Sequence, residues 1–240
     1  MHARKSRTTG LSRLTPFIIG VDILIALALV ALVLSYSTSF TASGKPTPLE
    51  AKTYRLLFTG DIMLDRLVKR QILNAQDPLY PFLRIADYTH AADLTIGNLE
   101  GPITDQGIRS GSIYSFRFEP IGTINGLQFA GFDVVSLANN HIFDYGRTGL
   151  LDTITHLKAA GIEPVGIGKT ITEANAPITK VIGDTTVTFY SFTNLYPRGL
   201  VATDASPGIS DFNVLPEILN SAQGDIVVVL LHWGEEYETK

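Results

Sequence analysis

Residues 131–162 read GFDVVSLANNHIFDYGRTGLLDTITHLKAAGI. Residues 132–138 form a short, mostly apolar run with β-branched character, and it ends on Asn139, Asn140 and His141, all poor strand formers. Residues 149–160 follow with Leu150, Leu151, Ile154 and Leu157 at i, i+1, i+4 and i+7, and Gly161 is a stop signal. A buried strand, a polar loop and an amphipathic helix in that order form the repeating unit of an α/β domain.

The same reading extends in both directions. Residues 54–59 (YRLLFT) predict a strand that ends at Gly60-Asp61 before a helical stretch over 64–75. Residues 93–97 (DLTIG) predict a second strand, which ends in Asn98-Leu99-Glu100-Gly101-Pro102, and residues 225–231 (DIVVVLL) another, which ends in His232-Trp233-Gly234. Residues 177–182 and 186–192, around Gly183-Asp184, predict a hairpin. The pattern specifies an α/β domain and leaves its strand order open.

At the N-terminus, residues 17–34 (FIIGVDILIALALVALVL) contain one ionisable side chain, Asp22. As a helix they span about 27 Å, enough for a bilayer core of about 30 Å if the serine- and threonine-rich residues behind them complete the last turn. Arg4, Lys5, Arg7 and Arg13 precede the run, and the next cation is Lys45. This asymmetry predicts a basic cytoplasmic tail over 1–16, a single transmembrane anchor over 17–36, a Ser/Thr/Pro-rich linker over 37–52 and an extracytoplasmic domain over 53–240. A cleaved signal peptide is the rival reading, with Thr41-Ala42-Ser43 its best cleavage candidate.

The 240-residue chain has no Cys, which excludes disulfides and thiolate chemistry, and a net charge of -4. From Lys45 onward 22 acidic residues face 15 basic ones. That balance excludes a surface that coats nucleic acid.

Four strand ends carry Asp61, Glu100, Asn140 with His141, and His232. In α/β sheets the carboxyl ends of strands form the ligand-binding rim, so these residues can converge from distant positions. Oxygen and imidazole donors without thiolate suit Mn, Fe or Zn, as one or two ions, in a hydrolytic site. Taken singly, each residue has another reading: Asp61 as a helix cap, Asn139-Asn140 as turn residues, and His232 as a half-buried structural histidine.

The segments LLFTGDIMLDR, TIGNLEGPIT, YSFRFEP, the 131–162 stretch and HWGEEY resemble, in order and spacing, the bacterial capsule-synthesis CapA family associated with poly-γ-glutamate. The resemblance covers the chain from about residue 55 onward, and NLEGPIT and ANNHxxDYG are its most specific parts. It implies a calcineurin-like metallophosphatase fold, two packed sheets flanked by helices. It also implies that Asp61, Glu100, Asn140 and His232 are metal ligands, that His141 is the general acid or transition-state donor, and that Asp144 orients it. Arg66, Arg117 and Arg147 would address an anionic group. The implied partners are the membrane, an anionic polymer such as poly-γ-glutamate and other capsule synthesis or export proteins. The implied activity is that of a metal-dependent hydrolase or transferase, and the alternative is a non-catalytic scaffold or polymer-binding subunit.

Two departures bear on that expectation. Ile62-Met63 follow Gly60-Asp61 where the phosphatase pattern has a histidine, and Asn98-Leu99-Glu100 replace its bridging aspartate. Family members also continue beyond the position of Lys240 to a late GHxPH-like motif, so the reading expects a truncated frame with a weaker or inert site.

Overall fold

The computed structural model describes residues 27–32, 52–196 and 198–234. By contact, the chain divides into two units, Met1–Lys52 and Thr53–Lys240. In the first, residues 27–32 are helical and the rest of the apolar run lies outside the described residues. No helix among the described residues is long and apolar enough to cross a membrane.

The second unit is a mixed α/β domain built on a parallel sheet. Strands β1 (Leu56–Ile62), β2 (Leu94–Leu99), β3 (Val134–Ser136) and β4 (Glu163–Val165) lie in sequence order, and each pair of neighbours is parallel. Parallel connections require crossovers, and helices supply them: α1 (Arg66–Ala75) and α2 (Ala86–His90) before β2, α3 (Pro120–Phe129) before β3, and α4 (Gly146–Ala159) before β4. The helix expected over 64–75 starts at Arg66, capped by Asp65, so Asp61 is not its cap. In α3, Glu119 accepts hydrogen bonds from the backbone N–H groups of Ile121 (3.0 Å) and Gly122 (2.7 Å), and Pro120 opens the first turn, where no N–H is needed.

A second sheet holds β6 (Ile178–Ile182), β7 (Thr185–Thr193) and β9 (Ile226–His232). The hairpin expected around Gly183-Asp184 forms between β6 and β7, and β9 pairs with β7 in parallel. Short strands β5 (Ile167–Gly168) and β8 (Gly208–Ile209) make a separate antiparallel pair, with α5 (Ile171–Asn175) after β5 and α6 (Leu215–Ser221) before β9.

The two larger sheets pack face to face. Leu94, Ile96, Val134 and Val165 of the first meet Val187 and Phe189 of the second in one buried cluster, with Leu56, Val228 and Leu230 at its edge. The hydroxyls of Ser136 and Ser191 meet across it at 2.7 Å. The opposite face of the parallel sheet carries a larger core in which Leu99, Val135 and Leu137 pack against Leu127, Leu150 and Leu157 of the helices. Strands covered on both faces read as continuous apolar runs.

β1 contains one irregularity that aims the site. Phe58 pairs with Ile96 but Asp61 pairs with Asn98, so β1 holds one extra residue there. Such a bulge bends the strand and re-aims side chains, and here it sets Asp61 opposite Asn98.

Candidate active site

The carboxyl ends of β1, β2 and β3 point to one rim, and the end of β9 reaches it from the second sheet. Asn98 Nδ2 donates to Asp61 Oδ1 at 2.7 Å and to His232 Nδ1 at 3.2 Å. Its Oδ1 accepts from Asn139 Nδ2 at 3.1 Å, which settles which end of the Asn98 amide faces the carboxylate. Since Nδ1 of His232 accepts, Nε2 carries the proton and donates to Asn140 Oδ1 at 3.1 Å. His232 Nδ1 is also 3.8 Å from Asp61 Oδ1. Burial holds the His232 imidazole below its usual pKa; His141 lowers it further and Asp61 partly opposes the shift.

The second half of the site hangs from Asn139, which is fully buried. Its amide donates to the carbonyl of Leu99 at 2.9 Å, and its Oδ1 accepts from the backbone of His141 at 3.1 Å. These bonds fix the loop that carries His141. His141 Nδ1 donates to Asp144 Oδ2 at 2.8 Å, and Phe116 N donates to the same oxygen at 2.7 Å. The His141 ring lies on that of Phe116, with centroids 4.2 Å apart. His141 Nε2 faces Glu100 Oε1 at 3.8 Å.

The structure therefore joins Asp61 and His232 through Asn98 and Asn140 through His232, and places Glu100, His141 and Asp144 beside them. The three arginines part company. Arg66 lies over Phe116 at 4.7 Å and Tyr114 at 5.1 Å, and Arg117 lies over Tyr145 at 5.1 Å. Arg147 is turned away from the expected anion role: its guanidinium donates to the backbone carbonyls of Pro207 and Gly199 and leans on Phe143. Sequence reasoning passed over Asn98, Asp65 and Phe116. Asn98 stands in a strand-end motif of the sequence, but its place opposite Asp61 is set by the β1 bulge, which no local pattern signals.

The donor set bears on whether a divalent ion fits. Asp61 and His232 offer a carboxylate and an imidazole acceptor 3.8 Å apart, near the span of about 3.4 Å between two donors on one tetrahedral ion. The Asn98 amide group bonds to both, as a cation would. Among the described residues, no group of three or more acidic, imidazole or thiol side chains is gathered for a metal. Asp61 and His232 Nδ1 are thus the pair that an ion would share in place of the Asn98 amide group, since Asn98 Oδ1 faces Asn139 and Asn140 Oδ1 faces Nε2 on the other edge of the His232 ring.

A family model described as bacterial capsule synthesis protein PGA_cap matches residues 55–240. The chain belongs to that family. Among relatives of this PGA_cap chain, the capsule biosynthesis protein CapA of Bacillus anthracis is 30% identical over 234 residues, covering 90% of this chain and 56% of the relative. The PGA biosynthesis protein CapA of Bacillus subtilis (strain 168) is 28% identical over 212 residues, covering 83% and 55%. The PGA_cap chain thus spans just over half the length of these relatives. Among solved structures, a phosphatase of Mycoplasma pneumoniae overlaps with a TM-score of 0.45 at 16% identity, covering 77% of this chain and 57% of that one. A 5'-nucleotidase precursor of Thermus thermophilus overlaps with a TM-score of 0.44 at 16% identity, covering 75% and 37%. At that overlap the fold assignment rests on the sheets themselves.

Proposed function

We propose that this PGA_cap chain acts in capsule synthesis outside the cytoplasm, held at the cell membrane by residues 17–34, on an anionic polymer of the poly-γ-glutamate type. Its work there is metal-assisted hydrolysis or transfer. The observation that carries the reading is the His141–Asp144 pair at 2.8 Å, whose free imidazole edge faces Glu100 beside the Asp61–Asn98–His232 group. The Asp144 bond fixes the ring with Nδ1–H toward the carboxylate, so that Nε2 is the basic nitrogen: it takes a proton from the attacking water and then gives that proton to the leaving group. Mn, Fe or Zn held by Asp61 and His232, with Glu100 as a further oxygen donor, would supply charge stabilisation at the reacting group. Buried Asn139 keeps the His141 loop in register with β2.

One observation favours a second reading, a polymer-holding subunit of a capsule export complex. Among the described residues, Arg66 and Arg117 have no carboxylate partner, whereas the acid and imidazole groups do not reach a cluster of three.

Capsule output in cells that lack the native gene separates the two. His141→Ala should cut output by about 10²- to 10⁴-fold if proton transfer is the task. Full restoration by His141→Ala, with failure of Arg66→Ala/Arg117→Ala at equal protein level, would replace catalysis by the holding role. Protease added to spheroplasts should digest the domain; protection would refute the outward orientation.

A further inference from the structure

One carboxylate ties the two stacked arginines together. Asp65 Oδ1 accepts from Arg66 N at 2.7 Å, and Asp65 Oδ2 accepts from Arg117 N at 2.9 Å. Arg66 takes a φ of 52°, in the left-handed region that side chains other than glycine rarely adopt. Strain of this kind persists where neighbouring contacts over-determine it, and it concentrates at functional sites. The residue before Arg117, Phe116, donates its N–H at 2.7 Å to Asp144 of the loop between β3 and α4, the carboxylate that holds His141. Two consecutive loop residues, Phe116 and Arg117, are therefore pinned by two carboxylates, one serving His141 and the other Arg66.

The side chains complete the arrangement. The Phe116 ring carries both the His141 ring and the Arg66 guanidinium, and Arg117 rests on Tyr145. A guanidinium laid on an aromatic face keeps its N–H edge open for bidentate contact with a carboxylate. Neither group is neutralised by a carboxylate among the described residues, and Arg147 is engaged by backbone carbonyls. Each of the two groups can take a carboxylate of its own.

We infer that Asp65 is the positioning residue of a two-arginine clamp, Arg66 and Arg117, which holds two neighbouring carboxylates of a polyanionic chain beside His141. The inference rests on the polymer reading above and goes further by naming the clamp, its organiser and the need for two carboxylates. It also makes a prediction of sign. Removing a negative charge beside an anion site should tighten anion binding if only long-range electrostatics act. If Asp65 works by positioning, its loss should weaken binding.

The test uses the full chain and fluorescein-labelled γ-linked glutamate oligomers, with N-acetylglutamine, which like one internal unit carries a single α-carboxylate and a γ-amide, as the competitor, at fixed ionic strength. Arg66→Ala and Arg117→Ala should each weaken oligomer binding. Asp65→Asn keeps a capping oxygen for α1 but has one acceptor where two are needed, and it should weaken binding about tenfold, the scale of one charge-assisted contact. Asp65→Ser, a good cap too short for Arg117, should do the same, with unchanged melting temperatures for both. If both Asp65 variants bind as tightly as wild type or tighter while the arginine variants are weak, the positioning role is overturned and the polymer reading stands. If neither arginine variant loses affinity, the polymer reading itself fails. If N-acetylglutamine competes as well as an oligomer of equal concentration, the two-carboxylate clamp is wrong.

Discussion

Asn98 donates to Asp61 across the first two strands at 2.7 Å, and the same amide nitrogen reaches His232 Nδ1 at 3.2 Å. An uncharged group thus holds together a carboxylate and an imidazole from two different sheets. The contact exists because the β1 bulge supplies one extra residue between Phe58 and Asp61.

Asn98→Asp turns this relationship into a test for the ion. Without metal, the variant sets a second carboxylate against Asp61 and removes the donor, at a cost of about 1–3 kcal/mol. The melting temperature should fall by roughly 2–4 °C for each kcal/mol in a chain of this size. With excess Mn or Zn, the added carboxylate becomes a ligand and the variant should gain more thermal stability than wild type, by mass action on the folded state. Equal metal responses in the two proteins would remove the ion from this position.

Asp144 serves two partners through one oxygen, and its substitutions should separate stability from function. Asp144→Ala leaves the buried Phe116 N–H without an acceptor, for about 1–3 kcal/mol. Asp144→Asn retains one oxygen and should melt closer to wild type. Its amide can equally present N–H to His141 and reverse the imidazole tautomer, so capsule output should fall with either variant. An Asp144→Asn protein with wild-type capsule output would mean that the orientation of His141 is not required.

Much of this site was legible because its members end apolar strands. Asp61, Asn140, His141 and His232 each follow such a run, and parallel pairing gathers their ends. Asn98 was not legible as the pivot, because its role depends on a bulge set by backbone register, which has no side-chain signature. Asp61 reads as a helix cap in the sequence, and only the start of the helix at Arg66, with Asp65 as its cap, decides against it. The three arginines were likewise indistinguishable. Arg147 is engaged by carbonyls 52 and 60 positions away, contacts that no local pattern reveals.

Gly97 marks how closely the floor of the site is packed. A Cβ there would lie 2.6 Å from both Ile62 Cδ1 and Thr59 Oγ1 and 3.0 Å from Phe132 Cε1. Gly97→Ala should therefore cost about 1–3 kcal/mol by overpacking. Trimming the neighbour in Gly97→Ala/Ile62→Val should recover part of that loss, a coupling readable by denaturant unfolding of both single variants and the double one. Strict additivity would show that the two side chains do not compete for the same space.

His232 makes the metal-free chain sensitive to mild acid, with a definite sign. Burial lowers its pKa in the folded chain below the unfolded value of 6.5. Above about pH 7.5 both states hold a neutral imidazole, so the group contributes nothing to the pH dependence. As pH falls through 6.5 the unfolded chain takes up the proton first, and stability declines until the folded imidazole titrates as well. His232→Gln cannot titrate, so its melting temperature, measured with chelator present, should fall less between about pH 7.5 and about pH 5 than that of wild type. Asp61→Asn should do the opposite, because Asp61 is the neighbour that raises the His232 pKa, and its removal deepens the depression and steepens the decline. Parallel curves for wild type and His232→Gln over that range would show that folding does not depress the proton affinity of His232.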